Sequence, residues 1–524
     1  MKATRLDDEQ ARHNVEAGFW AGNPVDSYLA AAAIRTPAAV AVVDRGRRWT
    51  YGELDGAVNR FASALRGRGV GPGDVVSWLL PNWTEAIVVH LAAIRAGAVS
   101  NPIIPIYRHR ETAFILRQAG TKVAVVPHSF RTFDYPAMLD EIRAEVPTLE
   151  TVVVVGGGPP AFDDLLAEGR ADPVEAARSS SDIALLLYTS GTTSAPKGAL
   201  HSHDTLDHEN RSMIDFFGLT AADVVFMPSP VGHIIGVLYG LQLPFMLGST
   251  VVLLDVWEPG RALELIEEHR CTFTVAATPF LHGLVHHPSL PQRDVSSLRV
   301  FACGGADVPP ELVRAATTAL GCTVTRGYGS TEYPTATACT AADPVAKRAG
   351  TDGRPIGPAE VRVAADGELQ VRGPELFLGY LDASLNDTAF TDDGWLHTGD
   401  LARIDADGYV EIIGRQKDII IRGGENISAK EIEDQLFEHP AVADVAVVST
   451  PDPVLGERVC AVVVPEAGGE PTLPELVDFL TGRRMARQKL PERLILLDTL
   501  PRNPSGKIQK FRLRELAREN GVTR

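Results

Sequence analysis

Hydrophobic and polar positions follow two alternating periodicities along the first four-fifths of the chain. One helix begins at a capping box formed by Thr50 and Glu53, and apolar residues recur along it at helical spacing. Short, continuous apolar runs predict buried strands. These runs lie at 122–127, 151–155, 183–187 and 249–254. Helices that alternate with buried strands predict an α/β fold with largely parallel sheets and flanking helices.

The pattern becomes a compact α+β pattern near Gly414, where strand-like runs and two further capping signals follow one another to the chain end. The segment from Gly414 to the chain end is large enough to fold as a separate domain. No low-complexity linker precedes it, so we expect a short hinge. We place this hinge at Lys417, between a large domain of residues 1–416 and a small domain of residues 417–524.

Composition and charge describe a globular protein that does not bind nucleic acid. Of 524 residues, 45% are hydrophobic and 22% are charged, and the net charge is −17. Such an acidic balance argues against a nucleic-acid-binding surface. Between Gly482 and Arg524, however, twelve Lys/Arg stand against four Asp/Glu. This basic segment is either a solvated face or a surface that contacts polyanionic ligands.

The cysteines and the apolar stretches indicate a cytoplasmic protein. Five cysteines are scattered along the chain without a C-x-x-C pair, which favours reduced thiols over disulfides or a zinc site. The N-terminal residues are polar and contain no signal-peptide core. The longest apolar stretch, 86–99, is interrupted by His90 and Arg95 and falls short of the roughly 20 residues that span a bilayer.

A glycine- and hydroxyl-rich segment directly after the run at 183–187 is the strongest chemical signal. Glycines free backbone N–H groups to contact an anion, and hydroxyls and an ammonium add donors for phosphate oxygens. The segment is not a Walker A loop, because Pro196 occupies the place of the second glycine of that motif. Its candidate ligand residues are Thr189, Ser190, Gly191, Thr192, Thr193 and Lys197.

This segment resembles the phosphate loop of the adenylate-forming superfamily, which includes acyl-CoA synthetases, luciferases and peptide-synthetase adenylation domains. Ser194 stands where the family usually has glycine. Further motifs match in the expected order, so the resemblance extends over nearly the whole chain. It implies a large N-terminal domain with a small barrel-like subdomain, a small mobile C-terminal domain, and ATP as a substrate.

Two motifs resemble the adenine side of the family's nucleotide site. In the segment 327–332, the match implies that Tyr328 stacks on adenine, Thr331 bonds the α-phosphate and Glu332 holds Mg²⁺. A carboxylate is a suitable ligand for this hard cation. Small residues next to adenine allow its close approach. They are expected at Gly304, Gly305 and Ala306.

The remaining motifs resemble the family's ribose contacts and catalytic lysine. Asp400 is expected to accept from both ribose hydroxyls, and Arg415 is expected to contact the ribose as well. Lys507, in a Pro- and Gly-containing loop, resembles the lysine that bridges the substrate carboxylate and the α-phosphate. These matches imply that a carboxylic acid attacks ATP to give an acyl-adenylate and pyrophosphate.

A second half-reaction is implied by the same resemblance. In the family the small domain rotates after adenylation, and Lys417 matches the position about which it turns. Gly424, next to Gly423, matches the glycine that lets the pantetheine arm of CoA pass. The same glycines also suit a simple turn between a strand and a helix.

The acyl pocket is expected to accept a medium-chain, alicyclic or aromatic acid, as in medium-chain or cyclohexanecarboxylate–CoA ligases. Gly329 stands where acetyl-activating relatives have tryptophan, and His233 matches a gate near the substrate carboxylate. No aspartate lies beside His233 to pair an α-ammonium group, which disfavours an amino acid. The predicted pocket residues are His233, Ile234, Ala276, Cys303 and Gly329.

Two alternatives to an acyl-CoA ligase stay open from the sequence. The first is an acyl-AMP ligase that loads the phosphopantetheine of a carrier protein. The second is a luciferase-like oxygenase, which would need a bulky luciferin pocket. The sequence leaves both a monomer and a homodimer open.

Overall fold

The computed structural model describes residues 5, 8–158, 160–174, 178–189, 196–305, 307–466, 468–503 and 506–519. Helices flank most of the sheets in these ranges. The helices are α1 (Asp8–Glu16), α2 (Ser27–Arg35), α3 (Tyr51–Gly67), α4 (Thr84–Arg95), α5 (His109–Ala119), α6 (Tyr135–Ile142), α7 (Phe162–Glu168), α8 (His203–Phe217), α9 (Ile234–Leu241), α10 (Leu243–Leu247), α11 (Pro259–His269), α12 (Thr278–Val285), α13 (Pro310–Leu320), α14 (Val345–Gly350), α15 (Asn386–Ala389), α16 (Ala429–Leu436), α17 (Leu473–Gly482) and α18 (Lys510–Glu519).

The strands form sheets in both the large N-terminal part and the C-terminal part of the chain. They are β1 (Val40–Asp44), β2 (Arg47–Thr50), β3 (Val75–Trp78), β4 (Val99–Pro102), β5 (Thr121–Pro127), β6 (Ser129–Phe130), β7 (Phe133–Asp134), β8 (Thr151–Val155), β9 (Ile183–Thr189), β10 (Lys197–Ser202), β11 (Val224–Met227), β12 (Thr250–Leu253), β13 (Phe273–Ala276), β14 (Val300–Cys303), β15 (Thr323–Tyr328), β16 (Thr337–Ala338), β17 (Arg354–Pro355), β18 (Glu360–Val363), β19 (Glu368–Arg372), β20 (Leu396–Ile404), β21 (Val410–Arg415), β22 (Ile419–Arg422), β23 (Glu425–Ser428), β24 (Val442–Asp452), β25 (Gly456–Pro465) and β26 (Arg493–Leu496).

Two mixed sheets form the large part of the molecule. One has nine strands in the order β17-β16-β15-β14-β13-β11-β12-β1-β2, and the other has six in the order β10-β9-β4-β3-β5-β8. Their central strands pair in parallel, whereas β2, β10, β16 and β17 join antiparallel. The predicted capping box is present, with the side chain of Thr50 accepting from the backbone N–H of Glu53. The α/β prediction is therefore confirmed.

A small antiparallel sheet follows the large ones and forms the half-barrel predicted by the resemblance. Its order is β18-β19-β20-β21, and it encloses its own apolar cluster around Val371, Phe377 and Val410. The next sheet, of β23-β22-β25-β24 with β26 beside β25, carries α16, α17 and α18. This C-terminal part has the α+β character expected of it.

The chain passes between these two sheets through a single 3₁₀ turn, Gln416–Asp418. Lys417 is thus in the short connection from β21 to β22, where the sequence predicts the hinge, and its role in a domain rotation stays a prediction. Among the described residues, no helix is long and apolar enough to cross a membrane.

The parallel order of β13, β14 and β15 determines where a ligand cavity opens. Neighbouring parallel strands present their carboxyl ends at the same edge of a sheet, and ligands of α/β proteins bind there. The residues that follow these ends are Ala277, Gly304 and Gly329, which bring three of the sequence motifs to one edge.

Candidate active site

A cavity of about 520 Å³ lies at this edge, between the strand ends and the C-terminal part. Residues from all the predicted nucleotide motifs contribute to its walls. The predicted site residues that line it are Thr189, Lys197, His233, Ile234, Cys303, Gly304, Gly305, Tyr328, Gly329, Thr331, Glu332, Asp400, Arg415, Lys417 and Lys507. The structure therefore brings together positions that are more than 300 residues apart in the sequence.

The hairpin of β9 and β10 positions the start and end of the predicted phosphate loop. Lys197 lies directly opposite Thr189 in the antiparallel register. The predicted phosphate ligands Ser190, Gly191, Thr192 and Thr193 lie outside the described residues. The two strands place an ammonium and a hydroxyl at the same end of the hairpin, which is suitable for binding phosphate oxygens.

Tyr380 links this hairpin to the predicted metal ligand, a role that the sequence motifs did not indicate. The Lys197 ammonium lies 5.1 Å from the centre of the Tyr380 ring. The Tyr380 hydroxyl donates to Glu332 Oε1 at 2.6 Å. Backbone bonds from Leu378 to Leu200 and from Leu381 to Gly198 hold the Tyr380 segment against β10. Lys197 and Glu332 are therefore positioned by one aromatic side chain.

Glu332 fits a magnesium ion that arrives with the nucleotide. Within the described residues, no group of three or more His, Cys, Asp or Glu side chains could hold a metal alone. Mg²⁺ commonly takes one or two protein carboxylates and completes its shell with substrate phosphates and water. An oriented carboxylate near Lys197 meets this requirement. Nearby Thr331 is buried, and its carbonyl accepts from His201 Nε2 at 2.7 Å, which fixes the motif's backbone.

The expected ribose contacts meet where two strands of the half-barrel pair. Asp400 and Arg415 are register partners on β20 and β21, and Arg415 Nε lies 2.5 Å from Asp400 Oδ1. The Tyr328 hydroxyl donates to Asp400 Oδ2 at 2.7 Å. Burial, and then the Asp400 charge, raise the pKa of Tyr328 well above its usual value, so its hydroxyl stays protonated. The residue predicted to stack on adenine and the carboxylate predicted to bind the ribose are thus held together.

Small residues shape the strand end beside this group. A Cβ on Gly304 would come 3.0 Å from the carbonyl oxygen of Gly327, and Gly305 has φ of +80°. A Cβ on Gly329 would lie 1.8 Å from the Pro334 carbonyl oxygen. Glycine is therefore needed at 329 for close backbone packing, in addition to leaving the pocket open. Ala306, also predicted to lie next to adenine, is outside the described residues.

Lys507 reaches the cavity from the C-terminal part of the chain. The neighbouring Gly506, with φ of +85°, packs so that a Cβ would touch the Pro279 ring at 3.0 Å. The backbone N–H of Lys507 donates to Asn503 Oδ1 at 2.8 Å. Burial, followed by the charge of Arg415, lowers the pKa of the Lys507 ammonium to about 8. A cation in this environment gains energy when an anionic ligand binds beside it.

His233 lies at the amino end of α9 and lines the same cavity. Burial and the nearby Lys507 charge lower the pKa of His233 to about 4. The imidazole is therefore neutral at pH 7 and adds no second positive charge beside Lys507.

The apolar end of the cavity differs from the predicted acyl pocket at one position. Ile234 and Cys303 line the cavity as expected, but Ala276 does not. Successive side chains of β13 point to opposite faces, and Ala276 packs into the core behind the sheet, whereas Val275 faces the cavity. The apolar lining residues that the motifs missed include Met213, Phe217, Tyr239, Val275 and Ala302. Helical spacing on α8, which places Met213 and Phe217 on one face, is a signal that could have indicated two of them.

The predicted pantetheine glycines lie away from the cavity in this structure. Gly423 and Gly424 form the turn between β22 and β23, with φ of +59° and +87°, and neither lines the cavity. A Cβ on Gly424 would meet no heavy atom within 4 Å. The turn conformation requires glycine here, and the expected role of these glycines in CoA passage stays a prediction.

Comparisons with known proteins find matches along both parts of the chain. A model described as "AMP-binding enzyme" matches residues 29–381, and one described as "AMP-binding enzyme C-terminal domain" matches residues 431–507. The medium-chain fatty-acid–CoA ligase of Escherichia coli (strain K12) is 36% identical over 534 residues, covering 98% of this chain and 94% of the relative.

Two further similarities concern aromatic acids. The salicylyl-CoA synthase / salicylate adenylyltransferase of a Streptomyces species is 36% identical over 543 residues, covering 97% of this chain and 96% of the relative. The crystal structure of the anthranilate CoA ligase AuaEII with anthranoyl-AMP superposes with a TM-score of 0.89 at 26% identity, covering 96% of this chain and 98% of that one.

Proposed function

Because the chain belongs to the AMP-binding enzyme family, we propose that it is an AMP-forming acid:CoA ligase. In the first step a carboxylate oxygen attacks the α-phosphorus of ATP, and the bond to pyrophosphate breaks. In the second step the CoA thiol attacks the acyl carbonyl, loses its proton, and releases AMP. The products are acyl-CoA, AMP and pyrophosphate.

The observation that carries this proposal is the convergence of Lys507 with the nucleotide residues in one cavity. Two anions, the acid and ATP, must approach each other in the first step. A preorganised cation between them offsets their repulsion and stabilises the charge that develops in the transition state. Lys507 supplies this cation from the C-terminal part, and Lys197 supplies a second one at the predicted phosphate end.

Glu332 would hold the Mg²⁺ that accompanies ATP, with Tyr380 orienting the carboxylate. The ion would supply further charge neutralisation at the phosphates. Asp400 offers two carboxylate oxygens to the two ribose hydroxyls, and Tyr328 offers a flat ring to adenine. Residues of this chain thus orient the nucleotide, and Lys507 acts at the reacting atoms.

The acid is proposed to be medium-chain, alicyclic or aromatic. Met213, Phe217 and Val275 add apolar lining to the cavity that His233 also lines, which suits a group larger than acetyl. The named substrates of the relatives, a medium-chain fatty acid and salicylate, support the same size range.

The acceptor is proposed to be CoA, and a carrier protein is the second candidate. The exposed arginines Arg483, Arg484 and Arg487 in the basic segment favour contact with an acidic partner of either kind. A cytoplasmic location is proposed on the pattern of the cysteines, all five of which are free thiols.

A pyrophosphate-release screen with acetate, hexanoate, benzoate and cyclohexanecarboxylate tests this function. Each acid is incubated with ATP and Mg²⁺, with and without CoA, and the products are identified by mass. We expect pyrophosphate with the larger acids and free acyl-CoA when CoA is present. Faster turnover of acetate would contradict the proposed acid class, and acyl-AMP that transfers only to a carrier protein would contradict CoA as acceptor.

A further inference from the structure

A buried carboxylate stands behind the apolar end of the cavity, at a position where a purely apolar wall would suffice for a fatty acid. Glu209, Met213 and Phe217 follow one another at intervals of four residues along α8, so they share one face of the helix. Met213 and Phe217 line the cavity, and Glu209 is fully buried at the end of this row. A buried carboxylate is costly unless it is hydrogen-bonded.

Two hydroxyls of the cavity wall satisfy this carboxylate. The Tyr239 hydroxyl and the Thr335 hydroxyl both donate to Glu209 Oε1, the latter at 2.8 Å. The oxygens of these two hydroxyls are 2.7 Å apart. Both Tyr239 and Thr335 line the cavity. Three polar groups therefore form a compact cluster at the end of an otherwise apolar pocket.

A second buried carboxyl, Glu375, keeps Glu209 in its acceptor state. The two side chains interact with each other, and both are buried. Burial, and then the charge of Glu209, raise the pKa of Glu375 well above its usual value. Like charges this close cannot both ionise, so the pair shares one proton. Whichever carboxyl holds that proton, Glu209 Oε1 accepts from the two hydroxyls.

The direction of these hydrogen bonds determines what the hydroxyls can offer to a ligand. Each hydroxyl has one proton and two lone pairs. Because the protons of Tyr239 and Thr335 are used within the cluster, toward Glu209 or between the two hydroxyls, lone pairs remain for the cavity. The end of the pocket is then an acceptor site that matches an O–H or N–H donor.

We propose that this cluster selects a carboxylic acid bearing a hydroxyl or amino group at the end remote from its carboxylate, with Tyr239 and Thr335 accepting from that group. Glu209 is a positioning residue that orients the two hydroxyls. This inference rests on the proposed function only in taking the apolar end of the cavity as the acyl site.

Binding of non-reacting adenylate analogues tests the preference without turnover. Acyl-sulfamoyl adenosines are prepared with benzoyl, cyclohexanecarbonyl and hexanoyl groups, each unsubstituted, with a distal hydroxyl, and with a distal methoxy group. For at least one of the three acyl skeletons, calorimetry should show the hydroxyl analogue binding about tenfold or more tightly than the unsubstituted and methoxy analogues. A buried acceptor without a donor is unfavourable, and the hydroxyl analogue supplies that donor. Equal or weaker binding of the hydroxyl form on all three skeletons would overturn the proposal.

Three variants test the assignment of roles. Tyr239→Phe should weaken binding of the hydroxyl analogue more than binding of the unsubstituted analogue, so that the hydroxyl preference decreases. Glu209→Gln should reverse the preference toward the methoxy form. In this variant the amide oxygen accepts from Glu375, and the amide N–H₂ donates to the Tyr239 and Thr335 hydroxyls. The protons of these two hydroxyls then point into the cavity. Glu375→Gln should retain the wild-type preference, since the amide still donates to Glu209.

The outcomes separate this inference from the proposed function. If Glu209→Gln and Glu375→Gln lose the preference alike at unchanged melting temperature, the positioning role is wrong. If the analogues bind with the predicted preference but no acid in the panel releases pyrophosphate, the ligase proposal fails while the specificity stands. If pyrophosphate is released from the larger acids but the analogues bind without a hydroxyl preference, the ligase proposal stands and the specificity fails.

Discussion

Individual side chains in this cavity obtain their properties from neighbours that are distant in sequence. Lys507 has an ordinary ammonium group, but burial and Arg415 lower its pKa to about 8. His233, close to it, is kept neutral by burial and by Lys507. Of these two side chains, Lys507 is therefore the one that carries a charge at pH 7, and it loses that charge within the range of ordinary assay pH.

A pH profile of adenylation tests this charge. The ammonium is present below its pKa and is lost as the pH rises through about 8, so kcat/KM for pyrophosphate release should be level below that pH and fall above it. The kcat/KM profile reports groups of the free enzyme. Lys507→Arg should have a lower plateau without this basic limb, because arginine stays charged. A wild-type profile that is level to pH 10 would contradict the assignment.

Sequence alone predicted the residues that belong to motifs, and it missed those that act through packing. Asp400 and Arg415 could be recognised because their motifs are local, and pairing on adjacent strands brings them together. Tyr380 could not be recognised, since its role depends on contacts with both Lys197 and Glu332. Ala276 was predicted to line the pocket, whereas its neighbour Val275 does so. Which face of β13 each side chain occupies is determined by the position of the strand in the sheet, and local composition does not reveal it.

At the level of elements, the two glycines in the turn between β22 and β23 have two candidate explanations. Both of its glycines have positive φ, and the backbone N–H of Gly423 donates to the Leu455 carbonyl at 2.7 Å. In this structure the turn is remote from the cavity, so backbone geometry alone accounts for glycine here. A role in CoA passage would require the turn to reach the cavity in a second arrangement.

Alanine substitution in this turn distinguishes the two explanations. Gly424→Ala should lower the rate of thioester formation from supplied acyl-AMP by about tenfold and leave pyrophosphate release within about twofold, if a side chain obstructs the pantetheine arm. Gly456→Ala is the control, because φ is +79° at this neighbouring strand end and the strain is therefore similar. Equal effects of the two substitutions on both half-reactions would mean that backbone strain alone is responsible.

At the level of the whole molecule, an ion pair connects the C-terminal part to the large part. Lys430 on α16 lies 3.7 Å from Asp307 and lowers its pKa to about 2. The Asp307 side chain is 60% exposed, so the pair contributes at most about 1 kcal/mol. The same pair would have to break before the C-terminal part could rotate and expose the acyl-adenylate to a thiol.

Removal of this contact should shift the balance between the half-reactions. Lys430→Ala is expected to slow pyrophosphate release by up to about fivefold, which corresponds to about 1 kcal/mol, and to leave thioester formation from acyl-AMP unchanged or faster. Lys489→Ala is the matched control, because Lys489 pairs with Glu431 on the same helix without reaching the large part. If the two variants respond equally, the Lys430–Asp307 pair does not control the balance between the half-reactions.

We expect Lys507 to serve adenylation alone, in the arrangement of the two parts described above. The most direct measurement compares both half-reactions in Lys507→Ala. Pyrophosphate release should fall by about 10²–10³, the usual effect of losing one preorganised charge-stabilising group, whereas supplied acyl-AMP and CoA should still give acyl-CoA at nearly the wild-type rate. Loss of both half-reactions to the same extent, in a variant that melts at the wild-type temperature, would contradict the claim.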